Sequence, residues 1–185
     1  MTKAQLTVLA GPTAVGKGTV VAALKERYPT LNVSVSATTR APRPGELNGV
    51  HYYFVSPHEF DEMIERGDML EWALVHGKNK YGTPRGPVDE ALAAGKPVLL
   101  EIDLAGARQV RTNRPDAQFI FLAPPSWEEL ERRLIGRGTE GPEEQARRLA
   151  TARVELESAS EFDHVVINDD VERAVDELAR LIGLE

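Results

Sequence analysis

Residues 6–20 read LTVLAGPTAVGKGTV: a short apolar, β-branched run, then a glycine-rich turn with the spacing G-x-x-x-x-G-K, then the start of a helical pattern. Glycines let the backbone wrap tightly enough that successive N–H groups point at phosphate oxygens. Lys17 reaches the outer phosphates, and the helix N-terminus behind it adds partial positive charge. An exposed lysine on a glycine-rich turn would share these letters, but here a strand precedes the turn and a helix follows it, which is the context phosphate binding needs. The stretch therefore marks Gly11, Pro12, Thr13, Ala14, Val15, Gly16, Lys17, Gly18 and Thr19 as a candidate phosphate cradle. Position 18 is Gly where the general motif has Ser or Thr, so the usual hydroxyl ligand for magnesium is missing there and Thr19 stands one residue late.

Outward from this stretch the chain alternates short apolar runs with longer helical patterns, as a parallel sheet covered by helices does. Strands are expected at 6–10, 32–36, 97–103, 118–122 and 164–167, and helices at 17–28, 88–94, 104–111, 127–136, 142–159 and 171–184. In the last helix Val171, Val175, Leu178 and Ile182 form one apolar stripe, with Asp169 and Asp170 ahead of it to cap the first turn. The fold class is α/β: a parallel sheet of the P-loop NTPase type with helices on both faces. Two segments break the rhythm. Residues 36–83 hold a turn-rich arginine stretch, a strand at 52–55, a helix at 57–66 and a strand at 71–75; residues 127–153 are arginine-dense, with glycines at 136, 138 and 141 and too few apolar residues to be core. Both read as insertions on one sheet within a single domain, the first for an acceptor and the second as a lid, with the core at 1–35, 84–126 and 154–185.

Composition narrows the partners. Hydrophobic residues at 42% and charged ones at 28% describe a chain that folds. A formal net charge of −7 disfavours nucleic acid and anionic membrane, so phosphate binding must rest on local basic clusters. The absence of Cys excludes disulfides, thiolate metal sites and thiol catalysis. The opening apolar run is too brief for a signal-peptide core and no stretch is long enough to span a bilayer, so a cytoplasmic enzyme is expected. The scattered histidines His51, His58, His76 and His164 lack ligand spacing and read as surface residues, and Trp72 and Trp127 read as packing residues.

A second anion site is legible in residues 34–54, SVSATTRAPRPGELNGVHYYF. Arg40 and Arg43 flank Pro42 and can fork a dianionic phosphate, with Tyr52 as a neutral donor. Here the chain resembles the guanylate kinase family, bacterial type. The stretches that carry the resemblance are GPTAVGKGTV, SVSATTRAPRPGE, NGVHYYF, GDMLEWA, YGTP, LEID, RRLIGRGTE and VVINDD, in family order over nearly the whole chain.

The resemblance implies transfer of the terminal phosphoryl group of ATP to GMP or dGMP with Mg2+, in purine nucleotide metabolism and GMP recycling. It also implies that Ser36, Arg40, Arg43, Glu46, Tyr52, Glu71, Tyr81, Thr83, Glu101 and Asp103 surround GMP. By chemistry, the arginines and tyrosines suit the phosphate, while Ser36, Glu71 and Thr83 suit the guanine edge, whose N1–H and 2-amino group want a carboxylate. Glu101 departs from the Asp-x-Asp that the family usually has, so Asp103 carries more weight there. Arg133, Arg137 and Arg148 are implied at the ATP phosphates and Asn168 at the adenine side; Lys17, Arg40, Asp103 and these lid arginines form the expected catalytic set. Thr19 and Asp103 are the candidate magnesium contacts, mainly through water. Arg132, Arg147 and Arg153 are expected to be solvated or paired with glutamates. Another nucleoside-monophosphate kinase, a ribose-bisphosphate kinase and a non-catalytic interaction module of the same fold stay open as rivals, as does the choice between monomer and homo-oligomer.

Overall fold

The computed structural model of the chain describes residues 4–136 and 140–184. Its first half runs β1 (Leu6–Ala10), α1 (Lys17–Arg27), β2 (Asn32–Val33), β3 (Ala37–Thr38), β4 (Tyr53–Phe54), α2 (Pro57–Glu65), β5 (Met69–Val75) and β6 (Asn79–Pro84). Then follow α3 (Arg85–Ala93), β7 (Val98–Glu101), α4 (Leu104–Asn113), β8 (Gln118–Ala123), α5 (Trp127–Ile135), α6 (Pro142–Glu157), β9 (His164–Ile167) and α7 (Val171–Ile182).

β2, β7, β1, β8 and β9 lie side by side in that order, and every pairing is parallel. Side chains alternate between the faces of a strand, so a sheet covered on both sides must be apolar on both. Leu9, Leu99, Ile120, Leu122 and Val166 accordingly pack against α1 and α7, while Leu6, Val8, Val98, Leu100 and Phe119 pack against α3 and α4. Each such side chain contributes about 1.5–3 kcal/mol on burial. The α7 stripe is as expected: Val175, Leu178 and Ile182 are buried, Val171 packs beside them, and Asp170 caps the helix by accepting the Arg173 N–H at 3.0 Å. No helix among the described residues is long and apolar enough to cross a membrane.

The departures from expectation are local and have causes. β2 stops at Val33 because the chain leaves the sheet edge there, and β7 stops at Glu101 because Asp103 turns to cap α4. Residues 36–83 do not extend the main sheet. They build a second sheet, β4-β3-β6-β5, on a small core of Ala37, Phe60 and Met69 with Tyr53 and Trp72 beside them. β6 was unexpected, since NKYGTP is rich in residues that strands avoid. Pairing on both sides holds it, and Gly82 is required where the strands touch: a Cβ there would stand 2.7 Å from the Glu71 carbonyl oxygen. The arginine-dense segment likewise has a core of its own, Leu130, Leu134 and Ala152 with Trp127, Leu149 and Leu156 against them, so α5 and α6 pack as a pair.

Candidate active site

The phosphate cradle leaves β1 at the carboxyl edge of the parallel sheet, where open α/β sheets bind ligands. Its backbone is held in a shape few residues adopt. Ala14 and Gly16 both have positive φ, 69° and 94°, and a Cβ at Gly16 would also lie 2.9 Å from Asn168 Nδ2. Where α2, α4, α5 and α7 are capped by a side-chain oxygen, α1 is not, so its first N–H groups stay available. The loop is braced from behind through the Val15 carbonyl, which accepts from Asn168 Nδ2 at 2.8 Å and from Arg133 Nη1 at 3.2 Å. Lys17 donates to the Ile102 carbonyl at 3.4 Å. Burial pulls its pKa down against the opposing pull of Glu101, Glu155 and Asp103. Thr13, Gly18 and Thr19 stay exposed.

Strand register assembles the acceptor face. Ala37 pairs with Gly82 and Tyr53, so the residues one step back, Ser36, Thr83 and Tyr52, are opposite one another, and Thr83 pairs in turn with Glu71. Directly opposed residues share a face. Tyr52, Ser36, Thr83 and Glu71 therefore form one row across the second sheet, and its other face, with Ala37, Tyr53 and Trp72, covers the small core. Thr83 Oγ1 donates to Glu71 Oε1 at 2.8 Å. Burial pushes the Glu71 carboxyl up, Thr83 opposes this, and Asp103 adds to it. Tyr81 stands on the same face, edge-on to Tyr52 with ring centroids 6.0 Å apart.

At the end of this row Arg40 is already engaged. Its fork donates to both oxygens of Glu46 at 2.9 Å each and lies 5.2 Å over the Tyr52 ring. Glu46 also accepts the Arg43 N–H at 2.7 Å. The Arg40 guanidinium, with that N–H, holds the Glu46 carboxyl down to about 2, and Glu46 in turn raises Arg40 well above its ordinary value. The Arg43 side chain is exposed and has no ion pair among the described residues. Asp103 accepts the Gly106 N–H at 2.8 Å as the cap of α4, and Glu101 is exposed beside Gly18, its Oε1 3.9 Å from where a Cβ there would be.

Arg133 and Arg148 meet across a cleft of about 470 Å³ lined also by Thr13, Ala14, Gly16 and Leu134. Arg148 pairs with Glu140 at 2.9 Å and Arg133 with Glu129 at 3.3 Å. Arg137 lies outside the described residues. Asn168, expected toward adenine, is 5% exposed and spends its amide on the loop. Of the arginines expected to be idle, Arg132 and Arg147 pair with Glu129 and Glu144, whereas Arg153 stacks 4.1 Å over Trp127. The four histidines are exposed. Sequence reasoning missed Glu155: its Oε1 is buried without a hydrogen-bond partner, and burial raises its carboxyl against the pull of the Thr13 N–H and Lys17. Nothing in the sequence separates it from the other glutamates of α6.

A phosphate cradle at the centre of a parallel sheet, with a basic cleft on one side and an acceptor face with its own arginines on the other, defines a P-loop phosphotransferase of the nucleotide-kinase type. The family model described as guanylate kinase matches residues 3–185. A guanylate kinase of Leifsonia xyli subsp. xyli is 61% identical over 177 residues, 96% of this chain and 70% of the relative; one of Thermobifida fusca is 61% identical over 179 residues, 97% and 91%. The crystal structure of guanylate kinase from Anaplasma phagocytophilum superposes with a TM-score of 0.74 at 33% identity, covering 99% of this chain and 86% of that one. The chain belongs to the guanylate kinase family.

Proposed function

We propose that the chain transfers the γ-phosphoryl group of ATP to GMP, giving ADP and GDP, with dGMP as a second acceptor, as part of purine nucleotide metabolism and GMP recycling in the cytoplasm. The observation that carries this reading is the Tyr52–Ser36–Thr83–Glu71 row, which offers a carboxylate and two hydroxyls to a guanine edge and ends on the arginines that suit its phosphate.

Transfer of this kind requires little covalent chemistry from a protein. It requires two anionic nucleotides in line, compensation of their repulsion and exclusion of water. The free N–H groups of α1 and Lys17 suit the β- and γ-phosphates, and Arg133 and Arg148 suit charge that redistributes as the bond breaks. Arg40, Arg43, Tyr52 and Tyr81 suit the acceptor phosphate, whose attacking oxygen is already anionic, so no side chain must take a proton. Binding GMP asks Arg40 to share its fork between Glu46 and the incoming phosphate. Residues 36–83 and 127–153, each with its own small core, are proposed to close over the sheet as two units.

Among the described residues no three carboxylate or imidazole groups converge to hold a cation by themselves. Mg2+ arriving on the nucleotide would be met by the exposed Thr19 hydroxyl and by Asp103, mainly through water, with the Glu101 carboxylate beside them. When bound, the ion supplies charge neutralisation between the β- and γ-phosphates. An intact Lys17, basic cleft and acceptor face favour an enzyme over a non-catalytic module of the same fold. The test is a coupled assay of ADP release with GMP, AMP, CMP and UMP, each with and without a chelator. Turnover with GMP that needs the divalent ion is expected; equal turnover with AMP, or full activity after chelation, would overturn the reading.

A further inference from the structure

β5 ends the second sheet, and a strand at an edge exposes unpaired N–H and C=O groups. Here one stripe of α4 covers those of its first half. The Trp72 N–H donates to Gln109 Oε1 at 3.1 Å, and Gln109 Nε2 donates to the Trp72 carbonyl at 2.9 Å. That is the exchange of bonds a residue of a neighbouring strand would make. One turn further along, Asn113 Nδ2 donates to the Leu70 carbonyl at 2.8 Å. One turn back, Gly106 leaves room for the Glu71 carboxylate: a Cβ there would stand 3.1 Å from Glu71 Oε2 and 3.1 Å from Asp103 Oδ1. Residues 106, 109 and 113 share one helix face, and that face grips the backbone on both sides of Glu71.

The register shows why a grip is needed at this point. Met69 pairs with Pro84 and Glu71 with Thr83, so β5 carries one residue too many between them. Leu70 is that bulge residue, and its side chain is fully buried with Val8, Leu100 and Val110 in the main core, not in the core of its own sheet. A bulge bends the strand and re-aims the side chain beside it, and an edge strand with a loose register can slip. Backbone bonds to Trp72 and Leu70 remove that freedom.

The geometry points to Gln109, with Asn113 and Gly106, as positioning residues for base selection: α4 fixes the backbone flanking Glu71 and so aims its carboxylate into the acceptor face. The inference rests on the reading of Glu71 as the guanine contact.

Gln109→Met keeps length and bulk and removes both bonds. The expected result is a rise in KM for GMP of about tenfold, in line with a buried backbone pair losing its partner, and a smaller preference for GMP over IMP. The KM for ATP and kcat should hold within about twofold, since neither depends on the aim of Glu71. Asn113→Ala should shift the same two quantities less. A folded Gln109→Met protein with unchanged KM and unchanged selectivity overturns the inference, as does one in which KM rises equally for GMP and ATP while kcat and the melting temperature fall. Should Gln109→Met fail to fold, Asn113→Ala and amide exchange in the unaltered protein decide. A slowly exchanging Trp72 N–H supports the grip, and exchange as fast as at a free strand edge overturns it. Selectivity lost in Glu71→Gln but kept in Gln109→Met would sink the positioning role alone. Selectivity kept in Glu71→Gln would sink the reading beneath it.

Discussion

The phosphate cradle and the acceptor face are built by opposite means. The cradle is backbone: consecutive residues, two with positive φ, shaped by the end of β1 and the start of α1 and braced at the Val15 carbonyl by Asn168 and Arg133. The acceptor face is side chains: Glu71 of β5 and Thr83 of β6, with Ser36 and Tyr52 just ahead of β3 and β4, brought into a row by register. Backbone N–H groups recognise phosphate, which every nucleotide carries, whereas a row of different side chains can recognise one base. Under the proposed function, the donor phosphates are met by fixed main chain together with basic side chains, and the choice of base falls to the row of side chains.

That division can be broken first on the donor side. Lys17→Ala should lower kcat by about 10²–10³, the usual scale for one charge-stabilising donor, with little change in KM for GMP and an unaltered melting curve. A matching loss of GMP affinity would mean that the two regions are not separable. The acceptor side offers the next largest effect. Glu71→Gln keeps shape but sets an amide where two acceptors are wanted, so kcat/KM for GMP should fall about tenfold to a hundredfold and the gap between GMP and AMP should narrow. Because burial raises the Glu71 carboxyl above the ordinary 4.5, GMP affinity in the unaltered enzyme should weaken on acidification at a higher pH than an ordinary carboxylate would give. The glutamine variant should lose that pH dependence.

The smallest effect belongs to the Arg40–Glu46 pair. With the Glu46 pKa lowered from 4.5 to about 2, the pair stabilises the loop fully above 4.5 and loses that contribution as pH falls through about 2. A carboxyl titration followed by NMR should find the Glu46 midpoint near the lower value, and an ordinary midpoint would show that the fork is open in solution. Glu46→Gln should raise KM for GMP modestly and leave KM for ATP alone.

The same division governs what could be read before the fold was known. The cradle was legible because its residues are consecutive and flanked by a strand and a helix, and the parallel core was legible because Leu6–Ala10 and His164–Ile167 are apolar runs with clear ends. The second sheet was only half legible. Asn79–Pro84 has the composition of a turn and becomes a strand only through partners on both sides, and nothing local announces that Ser36, Thr83 and Glu71 share a row. Gln109 and Glu155 were invisible for a simpler reason. A polar residue on a helix reads as a solvated one until the neighbouring element is known, here the edge of β5 for Gln109 and the cradle for Glu155. Asn168 could be found near the end of β9, but only the loop geometry shows its amide spent on Val15.

The small cores under the two inserted segments have a practical consequence. The chain has two tryptophans, and they are divided between those cores: Trp72 sits against Phe60 on the underside of the acceptor sheet, and Trp127 lies beneath the Arg153 guanidinium between α5 and α6. Each segment thus carries its own intrinsic fluorophore in a distinct electrostatic setting, one beside an aromatic ring and the Lys80 ammonium, the other under a stacked cation. Replacing either tryptophan with phenylalanine would leave a single emitter, so the response of each segment to GMP or to an ATP analogue could be timed separately in a stopped-flow fluorimeter, without an added dye.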